Sequence, residues 1–215
     1  MRPRRYGDSG QAFPIYITVV GGLLFLAFAY FAVGQAAVNR NSAQTAADSA
    51  ALAAAIDARR QLTDQWLLDV LDPTKWQDVF EGNAPVSGSC LRADQLLSQN
   101  DATALACNAV GPLRYEVGAR TNRPVGDSVV PGTENMKAQA RATAVIEPLC
   151  TFVAPAPSPT PSPDPSPDPS ASPSPGDDGP LPELTCRGRG VWDLDPRHLT
   201  DLPKPEDLFD VHLAD

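Results

Sequence analysis

The sequence has little of what most enzymes use for catalysis or metal binding. It contains two histidines, His198 and His212, and neither belongs to an H-x-x-x-H pair. It contains no G-x-S-x-G motif, no H-E-x-x-H motif and no phosphate-binding Gly-Lys loop. Asp193 and Asp195 flank Leu194, but no calcium-binding loop surrounds them, so we interpret them as a solvated acidic run. We therefore expect no enzyme, no catalytic residue, no cofactor and no metal ion.

Charge is absent from a long stretch near the N-terminus. No Asp, Glu, Lys or Arg lies between Ser9 and Asn39, and residues 12–33 are almost wholly apolar. As a helix these residues would measure about 33 Å, enough for a hydrocarbon core of roughly 30 Å. The apolar region of a cleaved signal peptide, the competing interpretation, has only about 7–15 residues. We therefore predict a retained, single membrane-spanning helix over residues 12–34.

Positive charge is concentrated before this span. Three arginines lie in the first five residues, and only Arg40 follows the span closely. This bias predicts that residues 1–11 form a cytoplasmic basic leader and that the rest is exported. The chain carries −9 and its first ten residues +2, three arginines minus Asp8, so the remainder carries −9 − 2 = −11. Such an acidic exterior argues against a nucleic-acid partner and disfavours lying on anionic lipid.

The sequence has four cysteines but no C-x-x-C motif, which leaves zinc-binding and thioredoxin-type chemistry without support. All four follow the predicted span and would lie in an oxidising compartment. An even number of cysteines there predicts two disulfides, for which three pairings exist. The spacing favours Cys90–Cys107 and Cys150–Cys186.

Glycine and proline are absent from Gln35 to Asp72, and this stretch is rich in alanine, the best helix former. It predicts an exported helix that continues the span and ends before Pro73. A break between Asn39 and Ser42 stays open as an alternative. Five residues recur at helical spacing and predict a packing stripe: Val38, Thr45, Ser49, Leu52 and Ile56. Alanines beside this stripe would allow a close approach.

Residues 35–153 are predicted to form this helix and a small α+β domain. Two short helices are expected at 74–80, capped by Thr74, and at 91–99. Alternating apolar residues then predict strands at 113–120 and 136–147, separated by a turn at Pro131-Gly132. The alanines on the buried face of the second strand leave room for the alanine-rich helix.

Residues 154–180 are rich in proline and serine and contain no large apolar residue. We predict an extended, disordered segment with polyproline II character, either a stalk or a tolerated loop insertion. If Cys150 pairs with Cys186, the segment is a loop closed at its base. Residues 184–192 would then form a third strand beside 144–152. Residues 181–215 are thus a strand and an acidic tail, and the tail either packs on the domain or binds a partner.

One pattern resembles a known family. Asp8-Ser9-Gly10-Gln11 precedes the apolar span, and the span is followed by an alanine-rich run from Gln44 to Ala55 with Asp48 and Leu52. This arrangement resembles the TadE/TadG-like membrane proteins of tight-adherence (Flp) pilus systems. The resemblance implies a pilin-like architecture, in which a long N-terminal helix is anchored in the membrane and its outer half packs on a small antiparallel sheet.

The resemblance also has implications for particular residues. Pilin-type precursors are cut after a glycine, which marks the bond between Gly10 and Gln11 as a possible leader cleavage site. They usually carry Glu at the fifth mature position, which is Ile15 here, so an uncleaved accessory protein fits better. The positions expected to pack the helix on its domain are Ala47, Asp48, Ala51, Leu52 and Ala55.

The function that the sequence predicts is structural. We expect a single-pass protein of the cell membrane that serves as an accessory, minor pilin-like or pseudopilin-like component of a Tad-type pilus or secretion apparatus. Its expected partners are membrane lipid and other membrane proteins of that apparatus, with the cell wall as a further contact. The alternative is a membrane-tethered binding or sensing module that uses the Pro/Ser segment as a stalk and belongs to no pilus.

Overall fold

A computed structural model describes residues 12–124, 135–154 and 181–214. The predicted leader, with Gly10 and Gln11, lies outside the described residues, as do the turn at Pro131-Gly132, Asp215 and nearly all of the Pro/Ser segment, 155–180. The described residues form an α+β fold with a long N-terminal helix and a small antiparallel sheet, as predicted.

The dominant element is one helix of 57 residues, α1 (Ala12–Leu68), which would measure about 85 Å at 1.5 Å per residue. It is continuous through residues 39–42, so the alternative of a break there is wrong. It ends at Leu68 rather than at Asp72 because the chain turns at 69–71. The other elements are, in chain order, α2 (Trp76–Phe80), α3 (Ser89–Gln99), β1 (Ala102–Gly111), β2 (Arg114–Thr121), β3 (Gln139–Pro148), β4 (Cys150–Thr151), β5 (Leu184–Cys186), β6 (Gly190–Trp192), α4 (Pro205–Leu208) and β7 (Phe209–Leu213).

Thr74 does not cap the first short helix, and that prediction is wrong. α2 begins at Trp76, and Lys75, the residue before it, makes no side-chain cap hydrogen bond. The Thr74 hydroxyl instead donates to the carboxylate of Asp72, within the turn that follows α1. The second helix, α3, begins at Ser89, slightly before its predicted start.

The main sheet has the strand order β1-β2-β3-β7, and each neighbouring pair is antiparallel. β2 and β3 are the two strands that the alternating pattern predicted, with Val117 opposite Ala142 and Ala119 opposite Ala140. β3 begins at Gln139, so Met136 is not in the strand and is exposed. β1 and β7 were not predicted as strands, and they form the two edges of this sheet.

One face of the main sheet packs against α1, which contacts β2, β3 and β7. The buried residues on this face alternate along β2 and β3: Tyr115, Val117, Ala119, Ala142, Ala144 and Ile146. Around the end of α1 the core becomes aromatic. Trp66 contacts Trp76 with ring centroids 5.5 Å apart, and Phe152 and Phe80 continue this cluster to Phe209 in β7.

A second, three-stranded sheet, β4-β5-β6, lies next to the main sheet in the chain. The prediction that 184–192 forms one strand beside 144–152 is therefore wrong. The chain reverses at Gly188, whose φ of +76° is a conformation that favours glycine, and splits the segment into a hairpin. Within residues 144–152 only β4 pairs with β5, whereas residues 144–148 pair with β7, from the C-terminal tail.

Candidate functional site

The first half of α1 is an exposed apolar helix. Its large apolar residues from Phe13 to Val33 are at least about half exposed, for example Phe25 at 71%, except Val20, which is more buried. Within the described parts of the chain, α1 is the one helix long and apolar enough to cross a membrane, and none of its apolar window is buried. The core helix of a soluble domain is mostly buried, so that explanation does not fit. Gly34 leaves a shallow notch on this half, lined by Tyr30, Phe31 and Val38.

The second half of α1 is packed on the domain through its alanines. Ala47, Ala51 and Ala55 are fully buried, as are the neighbouring alanines of the same face. Asp48 is half-buried, and one of its carboxylate oxygens accepts a hydrogen bond from Gln44 Nε2 at 2.7 Å. Leu52 is partly buried beside the core. The structure therefore places these predicted packing positions on or next to the buried face.

The predicted packing stripe of larger residues is wrong at its N-terminal end. Val38 is 64% exposed and Thr45 is also exposed. Ser49, Leu52 and Ile56 are only half-buried, because the alanines take the closest position against the sheet. Periodicity alone could not distinguish these faces, since both repeat at the spacing of a helix.

A groove of about 390 Å³ runs between α1 and α3. Its apolar lining comes from Leu52, Ala53, Ile56 and Leu96, and it is flanked by the cations Arg60 and Arg92 and by Asp57. The sequence did not reveal this groove, because residues 92 and 96 join the α1 residues only through the packing of α3. An apolar groove between two helices is a suitable docking surface for a partner helix.

Polar contacts fix α3 antiparallel to α1. Gln61 Nε2 donates to the Ser87 carbonyl at 2.8 Å, and Ser89 Oγ donates to an Asp57 carboxylate oxygen at 3.1 Å. At the other end of α3, Asn100 Nδ2 lies 3.3 Å from Ser49 Oγ. The groove between the helices is therefore held at both ends by contacts within the chain.

The four cysteines form two disulfides. Cys90 at the start of α3 is bonded to Cys107 in β1, which ties the edge strand to the helix. Cys150 in β4 is bonded to Cys186 in β5, directly across the second sheet. These are the pairs that the spacing favoured, and no free cysteine remains.

The two histidines lie on the surface beside carboxylates. His198 Nδ1 is 2.9 Å from Asp195 Oδ2, and this hydrogen bond lowers the pKa of Asp195 below its ordinary value. Asp193, two residues away, is exposed. His212 lies 3.1 Å from Asp210, and Glu147 completes a group whose potential ligand atoms are within 4.8 Å of one another. Glu147 already accepts a hydrogen bond from Arg187, so this exposed group is explained by local pairing.

Comparisons with known proteins add one finding. No curated protein and no solved structure matches the chain. Residues 10–60 match the family model described as "Putative Flp pilus-assembly TadE/G-like", which confirms the resemblance seen in the sequence. The matched region begins just before α1 and includes both its exposed apolar half and most of its alanine face. Residues 10–60, about a quarter of the chain, are therefore similar to the TadE/G-like family of Flp pilus-assembly proteins.

Proposed function

We propose that the chain is a membrane-anchored accessory component, minor pilin-like or pseudopilin-like, of a Tad-type pilus or secretion apparatus. Residues 1–11 stay in the cytoplasm, 12–34 cross the membrane, and 35–153 and 181–215 form an exported domain. The observation that carries this proposal is the division of α1. Its apolar half is bare, its alanine half packs on an antiparallel sheet, and the family match includes both.

A partner helix from the same apparatus is the occupant that we propose for α1. The Gly34 notch and Ile56 in the α1–α3 groove are 22 positions apart. At 3.6 residues per turn they lie within about 40° of each other around the helix and about 33 Å apart along it. One helix running alongside α1 would therefore contact the notch at the boundary of the lipid and the groove outside it. Small residues and apolar grooves both permit such close helix contacts.

Site-specific photo-crosslinking in the native host tests this function. A crosslinking residue at Ile56 samples the groove, and one at Tyr30 samples the notch. Gln77, exposed in α2 beyond the end of α1, serves as the matched control. We expect Ile56 and Tyr30 to form adducts with membrane proteins of the pilus apparatus and Gln77 to form none. If neither position gives such an adduct in membranes that assemble pili, the proposed function is wrong.

Processing and topology are tested on the same preparation. We propose that the leader is retained, because Ile15 replaces the glutamate that pilin precursors usually carry. N-terminal sequencing should then start at the first residues and not at Gln11. Protease added outside the membrane should digest residues after about 40 and leave 1–11 protected. A protein found free in the medium without its apolar segment would contradict the membrane anchor.

The Pro/Ser segment is proposed to be a loop insertion in the exported domain, available for contact with the cell wall. The residues on either side support this, since Cys150 and Cys186 are bonded to each other across β4 and β5. Deleting residues 157–178 should therefore leave folding and pilus assembly intact. If the deletion variant folds but its domain is no longer exposed at the cell surface, the alternative of a stalk on a binding module would be favoured.

A further inference from the structure

The end of the domain nearest the membrane differs in charge from the rest of the exported chain. α1 leaves the lipid in the direction of its C-terminus. The end of the sheet that contacts earlier residues of α1 is therefore the end nearer the membrane. Gln44 Nε2 donates to the Arg141 carbonyl at the start of β3, and Asn100 before β1 lies at Ser49. The starts of β1 and β3 and the end of β2 are therefore proximal to the membrane.

The distance from this end of the sheet to the lipid follows from the helix geometry. About 20 residues from Phe13 fill the hydrocarbon core, and a headgroup layer of about 5–7 Å takes α1 to roughly residue 37. Gln44 lies about 10 Å beyond that level. From Arg141, the start of β3 and the residues before it run back toward the membrane. Ala138 lies three residues before Arg141 and is therefore closer to the membrane by at most about 10 Å. Ala138, which bonds Thr121 at the end of β2, is thus within about 10 Å of the headgroups, a distance that long cationic side chains can largely span.

Cations surround this point, and we name them the membrane-proximal rim: Arg40, Arg120, Arg123, Lys137 and Arg141, all exposed. The described acids beside these cations are Asp48, Asp101 and Glu116. Asp101 is paired with Arg123 at 2.9 Å and Glu116 with Arg141 at 4.0 Å, so the described charge is 5 − 3 = +2. Asp127 and Glu134, between Arg123 and Lys137 in sequence, and Asp215, after Ala214, lie outside the described residues. With all three included the charge would be 2 − 3 = −1.

The distal end of α1 and the adjoining α2 provide the comparison. Residues 64–81 carry five acids and one cation, Lys75, for a charge of 1 − 5 = −4. The rim, with five cations and three described acids, is therefore less acidic than the distal end of α1 and the adjoining α2. An acidic exterior as a whole would be repelled by an anionic surface, but a protein with this distribution meets that surface with its cations.

We propose that the membrane-proximal rim binds the phosphate groups of anionic phospholipids in the leaflet from which α1 emerges. This inference rests on the proposed membrane anchor. The anchor fixes the height of the domain above the lipid, and the rim fixes its tilt by holding the open ends of β2 and β3 against the headgroups. Exposed Met136 beside Lys137 adds an apolar side chain to the same edge.

Hydrogen exchange of the full chain in lipid nanodiscs tests the inference. Discs of phosphatidylcholine alone are compared with discs that also contain phosphatidylglycerol. We expect the anionic lipid to slow exchange in peptides 119–124 and 136–141 but not in 76–81. The double variant R120Q/K137Q should weaken the contact by up to about thirtyfold, or about 2 kcal/mol at roughly 1 kcal/mol for each cation. High salt should remove the same protection because it screens charges beyond a few ångströms.

The matched control removes two cations that lie away from the rim. Arg114 is at the opposite end of β2 from Arg120, and Arg197 lies in the tail beyond β6. R114Q/R197Q has the same net charge as R120Q/K137Q and should leave the lipid-dependent protection unchanged. Equal loss in both variants would show an effect of net charge alone and would overturn the inference.

The possible failures of the anchor and of the rim give different results. If the chain is released from the discs by alkaline extraction, the anchor itself is wrong. If α1 stays embedded but anionic lipid changes nothing at the rim, the anchor stands and the inference is overturned. Protection that appears in both lipids only after pilus membrane proteins are added would identify the rim as a protein-docking surface, which also overturns it.

Discussion

Replacing Ala51 with leucine tests whether the alanine face of α1 sets the distance between the helix and the sheet. Ala51 lies one helical turn from both Ala47 and Ala55, and all three are fully buried. The facing strands also present small side chains, among them Ala119 and Ala144, which are fully buried too. Leucine adds three carbon atoms at a position with no exposed surface. Overpacking of this kind typically costs about 1–3 kcal/mol.

The matched control is the same substitution at Ala53. This residue lies in the same helix, but it is only half-buried and lines the open groove beside Leu96. Because the groove has room for the larger side chain, we expect A53L to change the free energy of unfolding by no more than about 0.5 kcal/mol. Both variants have the same helix propensity change, so their difference reports packing.

The assay is thermal unfolding of the full chain in detergent micelles, followed by the near-ultraviolet circular dichroism of the buried tryptophans. For a domain of this size, 1 kcal/mol shifts Tm by about 2–4 °C, so A51L should unfold about 2–12 °C below the parent. A51G provides a second check and should cost about 1 kcal/mol through helix propensity. Equal Tm values for A51L and A53L would refute the close-packing explanation.

Three further predictions concern other parts of the domain. Removing the disulfide with C150S/C186S should lower the free energy of unfolding, measured by urea titration, by about 4 kcal/mol, because a loop with a sequence separation of 36 is no longer closed in the unfolded chain. A loss under about 1 kcal/mol would contradict this. W76F should lower the free energy of unfolding by about 1 kcal/mol more than W66F, because Trp76 Nε1 donates to the Asp69 carbonyl at 3.0 Å whereas the buried Trp66 Nε1 has no partner in the described residues. Equal losses in the two variants would be evidence against the hydrogen bond. Hydrogen bonds from Lys75 and then Gln65 lower the pKa of Asp69, so the stabilisation they give the fold is complete above the ordinary pKa near 4 and is lost as the pH falls through the lowered pKa. K75M should therefore raise the midpoint pH of acid unfolding, measured by tryptophan fluorescence, and an unchanged midpoint would exclude this role of Lys75.

The sequence predicted the elements whose burial is regular. α1 has a long uncharged segment followed by an alanine-rich one, and both signals are local. β2 and β3 alternate because one face is covered by α1 and the other is open to solvent. Where a single face of an element is buried, the order of apolar residues is enough to identify it.

The elements that the sequence did not predict are stabilised mainly by contacts distant in the chain. β1 is exposed along nearly all its length and is held by pairing with β2 and by the Cys90–Cys107 bond, so it has no apolar alternation to recognise. β7 and the β5–β6 hairpin are short; β7 pairs with β3, and the hairpin pairs through β5 with β4, both far away in sequence. The groove and the rim were missed for the same reason, because each combines residues that only the tertiary fold brings together.

Because α1 is continuous, one experiment can separate the two proposed contacts of the exported domain: the contact of the α1–α3 groove with a partner helix and the contact of the membrane-proximal rim with lipid headgroups. Alanines inserted between Arg40 and Asn41, before the first buried alanine, rotate the domain against the lipid half by about 100° each and raise it by about 1.5 Å each. One inserted residue moves the groove off the face that carries the Gly34 notch but leaves the rim near the headgroups. Seven inserted residues return the groove to within about 20° of its face but lift the rim by about 10 Å. Pilus assembly should therefore fail with one insertion and recover, at least in part, with seven, whereas lipid-dependent protection of the rim should survive one and disappear with seven. Identical behaviour of both insertions in both assays would mean that neither the face of α1 nor the height of the domain matters, and both contacts would have to be abandoned.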